Sequence, residues 1–353
     1  MSVIERDPQK TAATLERWLL TVPGITDVEV RDVAIPQATG WSNETILFAA
    51  RWRLDGVAEE HELVARIAPT DHSVFLEQTF RRQYTVMKAL AQRSEVPMAR
   101  IYWIDEDESW FDSPFWIMER VRGDIPGDNP PYAATGWLKD ATPEQQGRAW
   151  WSGVEAIARV HDVDVPSLQL PTGTFPAEPD TLGWQLDHYD RYLHWAEEGT
   201  PHQIAREALT WLRANRPPDP AAGPSLVWGD ARFSNLIYRD FEVAAVLDWE
   251  MTALGDPLLD LGWWLFADHA LTTGSGCQRL PGYGSRADTA ARWSELTGRS
   301  ADALDYFLVF AGLRFTVIML RMGKLLCDIG LVPPGFGYDN LISSALADQL
   351  RSS

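Results

Sequence analysis

This sequence predicts an α+β chain in two parts: a mixed strand-and-helix part to about residue 121, then a mainly helical part over 122–353. Three observations predict it. Up to residue 121, β-forming runs flank a single helical pattern. Beyond Gly123 the apolar residues recur almost entirely at helical spacing. Inside that helical part, one stretch from Leu226 to Glu250 reads as strands joined by a tight turn.

The elements follow in order. Asp7-Pro8 opens a helix that carries Leu15, Trp18 and Leu19 on one face. Residues 28–33 read as a strand, 39–44 as a turn cluster, and 45–54 as a second strand rich in β-formers. Asp55-Gly56 is a hairpin turn, and the chain returns over 61–68. Phe75, Leu76, Phe80, Tyr84, Met87 and Leu90 recur at helical spacing and predict a helix over 74–91. Two strands, 100–104 and 115–121, flank an acidic loop at 105–109. Helices are then expected over 143–160, 183–197, 202–214, 257–267, 285–296 and 301–327.

At 353 residues, and with 45% hydrophobic content, the chain is long enough for two domains or one large two-part unit. A formal charge of −19 argues against nucleic acid and anionic membrane as partners, since both need a basic surface. It suits a neutral or cationic small molecule, or simply solubility. Cys277 and Cys327 form no Cys-x-x-Cys unit. Met1-Ser-Val-Ile-Glu-Arg-Asp-Pro has no signal-peptide pattern, so a cytoplasmic location is expected. The apolar run 306–322 is interrupted by Arg314 and Arg321, and reads as a buried helix rather than a membrane span.

The chemistry concentrates in Leu226-Val-Trp-Gly-Asp-Ala-Arg-Phe-Ser-Asn-Leu-Ile-Tyr-Arg-Asp-Phe-Glu-Val-Ala-Ala-Val-Leu-Asp-Trp-Glu250. An apolar strand delivers Asp230 into a short polar loop. Asn235 follows five residues later, and a hairpin with its turn at 239–242 delivers Asp248. If Tyr238 pairs with Val243, Asn235 lies opposite Val246, with Asp248 roughly two residues, or ~7 Å, further on. Three oxygen-bearing side chains at one end of a hairpin suit both a hard cation and a proton-accepting base.

This stretch resembles the catalytic core of the protein-kinase-like phosphotransferases, which implies a bilobal fold with a nucleotide-binding N-terminal lobe and a helical C-terminal lobe. Trp-Gly before Asp230, and Asp-Trp-Glu in place of Asp-Phe-Gly, look like the aminoglycoside phosphotransferase and choline kinase branch. The match is particularly to the phosphotransferase-like domains related to those fused to acyl-CoA dehydrogenases. That branch usually reads His-Gly-Asp; here Trp228 stands in place of the supporting His. By position, the resemblance implies Asp230 as catalytic base and Asn235 and Asp248 as Mg²⁺ ligands, with ATP or GTP as phosphoryl donor and a hydroxylated small molecule as acceptor. Arg232 would neutralise charge on the transferring phosphoryl group or hold Asp230 through a salt bridge.

The same resemblance implies a nucleotide end. Gly40, Ser42 and Asn43 lie in a turn between two strands that taken alone reads as an ordinary β-turn; its place in the lobe is what implies that backbone N–H groups and small polar side chains meet phosphate oxygens. Arg66 falls where the family commonly has a phosphate-binding Lys. The helix position aligned with that Lys's usual Glu partner is Gln83, with Glu77 nearby. A surface charge on an edge strand is the bland reading of Arg66. Phe115–Gly123 looks like the hinge between lobes, with the Glu119 carbonyl and the Val121 N–H facing the base and Met118 as gatekeeper.

Several residues read as structural. Asp256 before Pro257 is a helix N-cap, and Asp260 is expected to tie that helix to the catalytic loop. His161 reads as a capping or core histidine, and most of the seventeen tryptophans as core, with a few left to line an apolar acceptor pocket. Glu250 stays open between metal, acceptor and loop backbone. Three functions compete: a phosphotransferase acting on a small-molecule hydroxyl, with a cationic aminoglycoside suited by the acidic charge and a bulkier, less charged compound favoured over it; a weak or idle nucleotide-binding module; and a hydrolase using a carboxylate pair. Arg66 and Gln83 favour the second; Asp230, Asn235 and Asp248 together favour the first. The hydrolase explains neither Asn235 nor the mixed N-terminal part.

Overall fold

A computed structural model describes residues 6–36, 43–69 and 74–353. Contacts divide the chain into two compact units: residues up to Phe80 with Ala99–Val121, and Arg81–Met98 with Arg122–Ser353.

The first unit is a five-stranded antiparallel sheet covered by one helix. Its strands are β1 (Ile25–Ala34), β2 (Glu44–Leu54), β3 (Val57–Ile67), β4 (Ile101–Asp105) and β5 (Phe115–Glu119), in the order β1-β2-β3-β5-β4. Along β2, Ile46, Phe48, Ala50 and Trp52 alternate into the core and meet Leu15, Trp18 and Leu19 of α1 (Pro8–Leu19). Asp7 caps α1 by accepting from the N–H groups of Gln9 and Lys10. Asp55 and Gly56, both at positive φ, make the two-residue turn from β2 to β3.

The helix α2 (Phe80–Arg93) begins six residues later than its apolar periodicity predicts. Residues 74–79 form bends and open chain, and Val74 is buried from a bend, so that part of the pattern records burial rather than helix. Most of α2 groups with the second unit. Arg93 Nη1 donates to the Leu168 carbonyl, and Pro97, just beyond the helix, accepts from Val246 N at 2.8 Å. A single cut at residue 121 therefore does not separate the two units.

The second unit is helical: α3 (Trp137–Asp140), α4 (Pro143–His161), α5 (Thr181–Glu197), α6 (Gln203–Ala214), α7 (Leu258–Leu271), α8 (Arg286–Thr297), α9 (Leu304–Asp328) and α10 (Leu341–Ser352). α9 packs against α5, α6, α7 and α10. It is long and apolar enough to cross a membrane by composition, but 83% of its most apolar window is buried inside the protein, the pattern of a core helix. α10 is not among the expected elements. Its signal is a capping box in which Asn340 accepts from Ile342 N and Ser343 N.

Four short strands interrupt the helices. β6 (Ser225–Val227) pairs with β9 (Ala253–Gly255), and β7 (Leu236–Arg239) pairs with β8 (Glu242–Val246). Tyr238 does pair with Val243, but a register shift between Ile237 and Tyr238 places Leu236, not Asn235, opposite Val246. Asn235 instead accepts from Leu247 N at 2.8 Å, which leaves Asp248 only one residue past that contact.

Candidate active site

The loop from β6 to β7 is held from beneath by α7. Asp260, fully buried, accepts from Trp228 N (2.7 Å, Oδ2) and Gly229 N (2.7 Å, Oδ1). His161 Nε2 lies 3.0 Å from Asp260 Oδ2, and Trp293 Nε1 donates to His161 Nδ1 at 2.9 Å. Because an indole can only donate, Nδ1 is the acceptor and Nε2 carries the proton given to Asp260. A relay of Trp293, His161 and Asp260 thus fixes the two peptides before Asp230, and the structural roles expected of His161 and Asp260 are met. Asp256 accepts from Leu258 N at 2.8 Å and caps the start of α7; burial pushes its carboxyl up.

Asp230 sits 7% exposed at the centre. Its Oδ1 accepts from Trp263 Nε1 at 2.8 Å and from Arg232 Nε at 3.0 Å. Its Oδ2 accepts from Asn235 Nδ2 at 2.7 Å, and the same amide nitrogen reaches the Asp230 carbonyl at 3.1 Å. Arg232 also pairs with Asp128, so it is a salt-bridge partner of the expected base. Burial works against the Arg232 charge, yet the carboxylates of Asp230, Asp128 and Asp248 outweigh it and hold its pKa above the ordinary value.

Asp248 is reached by a different device. Its φ of 56° puts it in the left-handed region. The buried indole of Trp228 donates to the carbonyls of both Leu247 (2.8 Å) and Asp248 (3.1 Å), tying the segment that leads to Asp230 to the segment that carries Asp248. Thr252 Oγ1 closes the same gap by donating to Val227 O at 2.9 Å.

The donor set fits Mg²⁺ with a nucleotide. Asn235 spends its amide nitrogen on Asp230, which leaves the amide oxygen as its ligating end, and Asp248 offers a carboxylate. Among the described residues no three His, Cys, Asp or Glu side chains form a cage. Mg²⁺ does not need one, because it is typically held by one or two protein oxygens together with phosphates and water. The carboxylates of Asp128, Asp230 and Asp248 all bear on the Arg232 guanidinium, an acidic grouping that would favour a cation beside it.

Of the other expected site residues, Asn43, Arg66, Met118, Glu119 and Val121 belong to the sheet unit, and Gln83 and Glu250 to the helical one. Arg66 is on β3, the central strand of the sheet, so the edge-strand reading is wrong; its Nη1 donates to Thr45 Oγ1 at 2.8 Å. Asn43 is buried immediately before β2, while Gly40 and Ser42 lie outside the described residues. Met118 and Glu119 end β5, and Val121 follows. Gln83 is buried on α2. Glu250 is half-buried, and its charge bears on the Tyr192 phenol, which burial and Tyr189 chiefly push up.

Asp128 and Trp263 are the residues that sequence reasoning missed. Asp128 lies 104 positions from Arg232 and carries no local signal. Trp263 had one: it follows Asp260 by three residues on a helix, so both share the face turned to the catalytic loop.

Fold and site together define a protein-kinase-like phosphotransferase core. The chain belongs to the phosphotransferase enzyme family, whose model matches residues 35–296. It is 28% identical over 270 residues to acyl-CoA dehydrogenase family member 11 of Gallus gallus, covering 74% of this chain and 32% of that protein. It is 29% identical over 206 residues to family member 10 of Mus musculus, covering 58% of this chain and 18% of that one. The chain therefore spans about a third or less of these curated relatives. Among solved structures, a Ralstonia eutropha protein assigned as an aminoglycoside phosphotransferase superposes with a TM-score of 0.71 at 23% identity, covering 96% of this chain and 98% of that one. Wild-type aminoglycoside 2′-phosphotransferase-IIIa, as its GDP complex, gives 0.60 at 13% identity, covering 97% and 99%.

Proposed function

We propose that the protein transfers the γ-phosphoryl group of ATP or GTP to a hydroxyl of a small molecule that is not an aminoglycoside. The observation that carries the reading is the convergence of Asp230, Asn235 and the Asp248 segment at one end of the β7–β8 hairpin, with Arg232 among them. Structures of this fold include complexes with GDP and with AMP-PNP and hygromycin B, which supports a nucleotide donor and a hydroxylated acceptor.

In this reading Asn235 and Asp248 hold Mg²⁺, which supplies charge neutralisation on the phosphates. Asp230 accepts the proton of the acceptor hydroxyl as its oxygen attacks the γ-phosphorus. The bond from that phosphorus to the oxygen of the β-phosphate breaks, and the nucleoside diphosphate leaves. Arg232, fixed by Asp128 and Asp230, would neutralise negative charge that builds up on the transferring group. Phosphate-contacting roles for Gly40, Ser42, Asn43 and Arg66, and base-contacting roles for Met118, Glu119 and Val121, belong to the same proposal, as does a cytoplasmic location.

Two features favour a bulky hydroxylated compound with an apolar part over a polyamine sugar. The matching relatives in chicken and mouse are named acyl-CoA dehydrogenase family members, a name that points to an acyl compound rather than to an aminoglycoside. Carboxylates are also sparse in the C-terminal segment from Tyr338 onward, where only Asp339 and Asp348 occur. A panel of hydroxylated acyl derivatives and kanamycin-type sugars, assayed with Mg²⁺ and ATP or GTP, tests the reading. Efficient, saturable phosphorylation of the sugars with no turnover of the apolar compounds would overturn it.

A further inference from the structure

Trp263 and Arg314 are buried, and no role at the site has fallen to them from the sequence. Trp263 is 2% exposed on α7, and its Nε1 donates to Asp230 Oδ1 at 2.8 Å. One face of its indole stacks on Phe315, with centroids 5.1 Å apart at 27°. The Arg314 guanidinium lies 4.7 Å from the ring centroid. Arg314, 3% exposed on α9, spends its donors on neutral oxygens: Gly229 O at 2.7 Å, Tyr189 Oη at 3.2 Å and Leu259 O at 3.5 Å.

Among the described residues the hydrogen bonds of Arg314 go to neutral oxygens, with no carboxylate among its partners. A guanidinium buried without such a partner is costly, and a core that needed only volume would be served by an apolar side chain. Arg314 instead touches the two things that place Asp230: the peptide immediately before it and the indole bonded to its carboxylate. The Gly229 peptide is thereby gripped on both sides, its N–H by Asp260 and its carbonyl by Arg314.

We propose that Trp263 and Arg314 form a positioning pair that sets the orientation of the Asp230 carboxylate for proton abstraction. Arg314 fixes the plane of the indole and the Gly229 carbonyl, and Trp263 anchors Oδ1 so that the carboxylate cannot rotate about its Cβ–Cγ bond. The inference rests on Asp230 being the base.

The test uses the full chain, with MgATP and water as acceptor, read as phosphate release. Trp263→Phe keeps the stack and removes the N–H. It should lower kcat by about 10- to 100-fold, the scale of a misplaced catalytic group, with KM for MgATP essentially unchanged. Trp263→His, which restores a ring N–H, should recover part of that loss, and Arg314→Lys should lower kcat without raising KM. In an Asp230→Asn background, Trp263→Phe should cost nothing more, because the group it positions is gone.

A wild-type kcat in Trp263→Phe overturns the proposal. So does an equal loss in the Asp230→Asn background, which would make Trp263 packing alone, and so does a His variant no better than Phe. Wild-type turnover by Asp230→Asn itself, or no phosphate release by the unaltered protein, sinks the underlying reading of the base rather than the pair alone. If Trp263→Phe does not fold, Arg314→Lys with and without Asp230→Asn carries the same comparison.

Discussion

Replacing Gly229 by Ala probes how closely the two halves of the site are packed. Gly229 has a φ of +95°, and a Cβ built on it would stand 2.2 Å from the Met251 carbonyl oxygen and 2.5 Å from its carbon. Both obstacles are backbone, so no side chain can swing away. To reach ordinary van der Waals contact the Asp230 loop and the segment after Asp248 must part by roughly 1 Å, a displacement that can cost ~10²-fold in rate. The left-handed φ adds about 1–2 kcal/mol and the overpacking about 1–3 kcal/mol, a large part of a typical stability of about 5–15 kcal/mol. Gly298 is the matched control: its φ is +67°, but a Cβ there meets nothing within 4 Å. Thermal melting and MgATP-dependent phosphate release would be measured on both variants. Gly298→Ala should show only the modest strain of its φ and full turnover, while Gly229→Ala should melt several degrees lower and lose about two orders of magnitude in rate. Equal behaviour of the two variants would refute the argument.

Other outcomes follow from the same geometry. Asp230→Asn should reduce phosphoryl transfer by ~10²–10⁴, the scale of a lost general base, with nucleotide affinity little changed; near wild-type turnover on a phosphorylated acceptor would show that Asp230 is not the base. Asp248→Ala should weaken Mg-nucleotide binding far more than metal-free nucleotide binding, and calorimetry showing equal losses in both conditions would make Asp248 structural. Asp260→Ala strands the buried N–H groups of Trp228, Gly229 and His161, each at about 1–3 kcal/mol; an unchanged urea midpoint would show that the relay bears no load.

Much of this was legible because the relevant signals are local. Asp55-Gly56 marks its turn, Asp7-Pro8 its cap, and the period-two pattern of β2 its buried face. The grouping of Asp230, Asn235 and Asp248 was legible for the same reason, since all three fall within one strand–loop–hairpin unit. What escaped was set by contacts distant in sequence. Asp128 meets Arg232 across 104 residues with nothing in its neighbours to mark it, and Trp263 meets Asp230 across 33, marked only by its helical spacing from Asp260. The register error had another origin. A bulge leaves the alternation on either side intact, so counting back from the Asp240-Phe241 turn carried the pairing one residue too far.

Trp228 shows how a departure from a family pattern can preserve a task. The acceptors at that place are two carbonyls, those of Leu247 and Asp248, so a donor-only side chain suffices and the second nitrogen of a His is not required. The clamp matters because Asp248 is held at a φ of 56°, a conformation that costs a non-glycine residue about 1 kcal/mol and persists only where its surroundings impose it. Trp228→Phe keeps an aromatic but smaller ring at this buried position and removes the single N–H shared by both carbonyls. It should lower the Mg²⁺-dependent part of nucleotide binding and leave metal-free binding as it was, because only the Asp248 segment loses its tether. Trp228→His should restore the coupling, since an imidazole N–H can take the same carbonyls. Calorimetry with and without Mg²⁺ on the two variants separates these outcomes. A Phe variant with wild-type Mg²⁺ dependence would mean that the β7–β8 hairpin alone holds Asp248 in place.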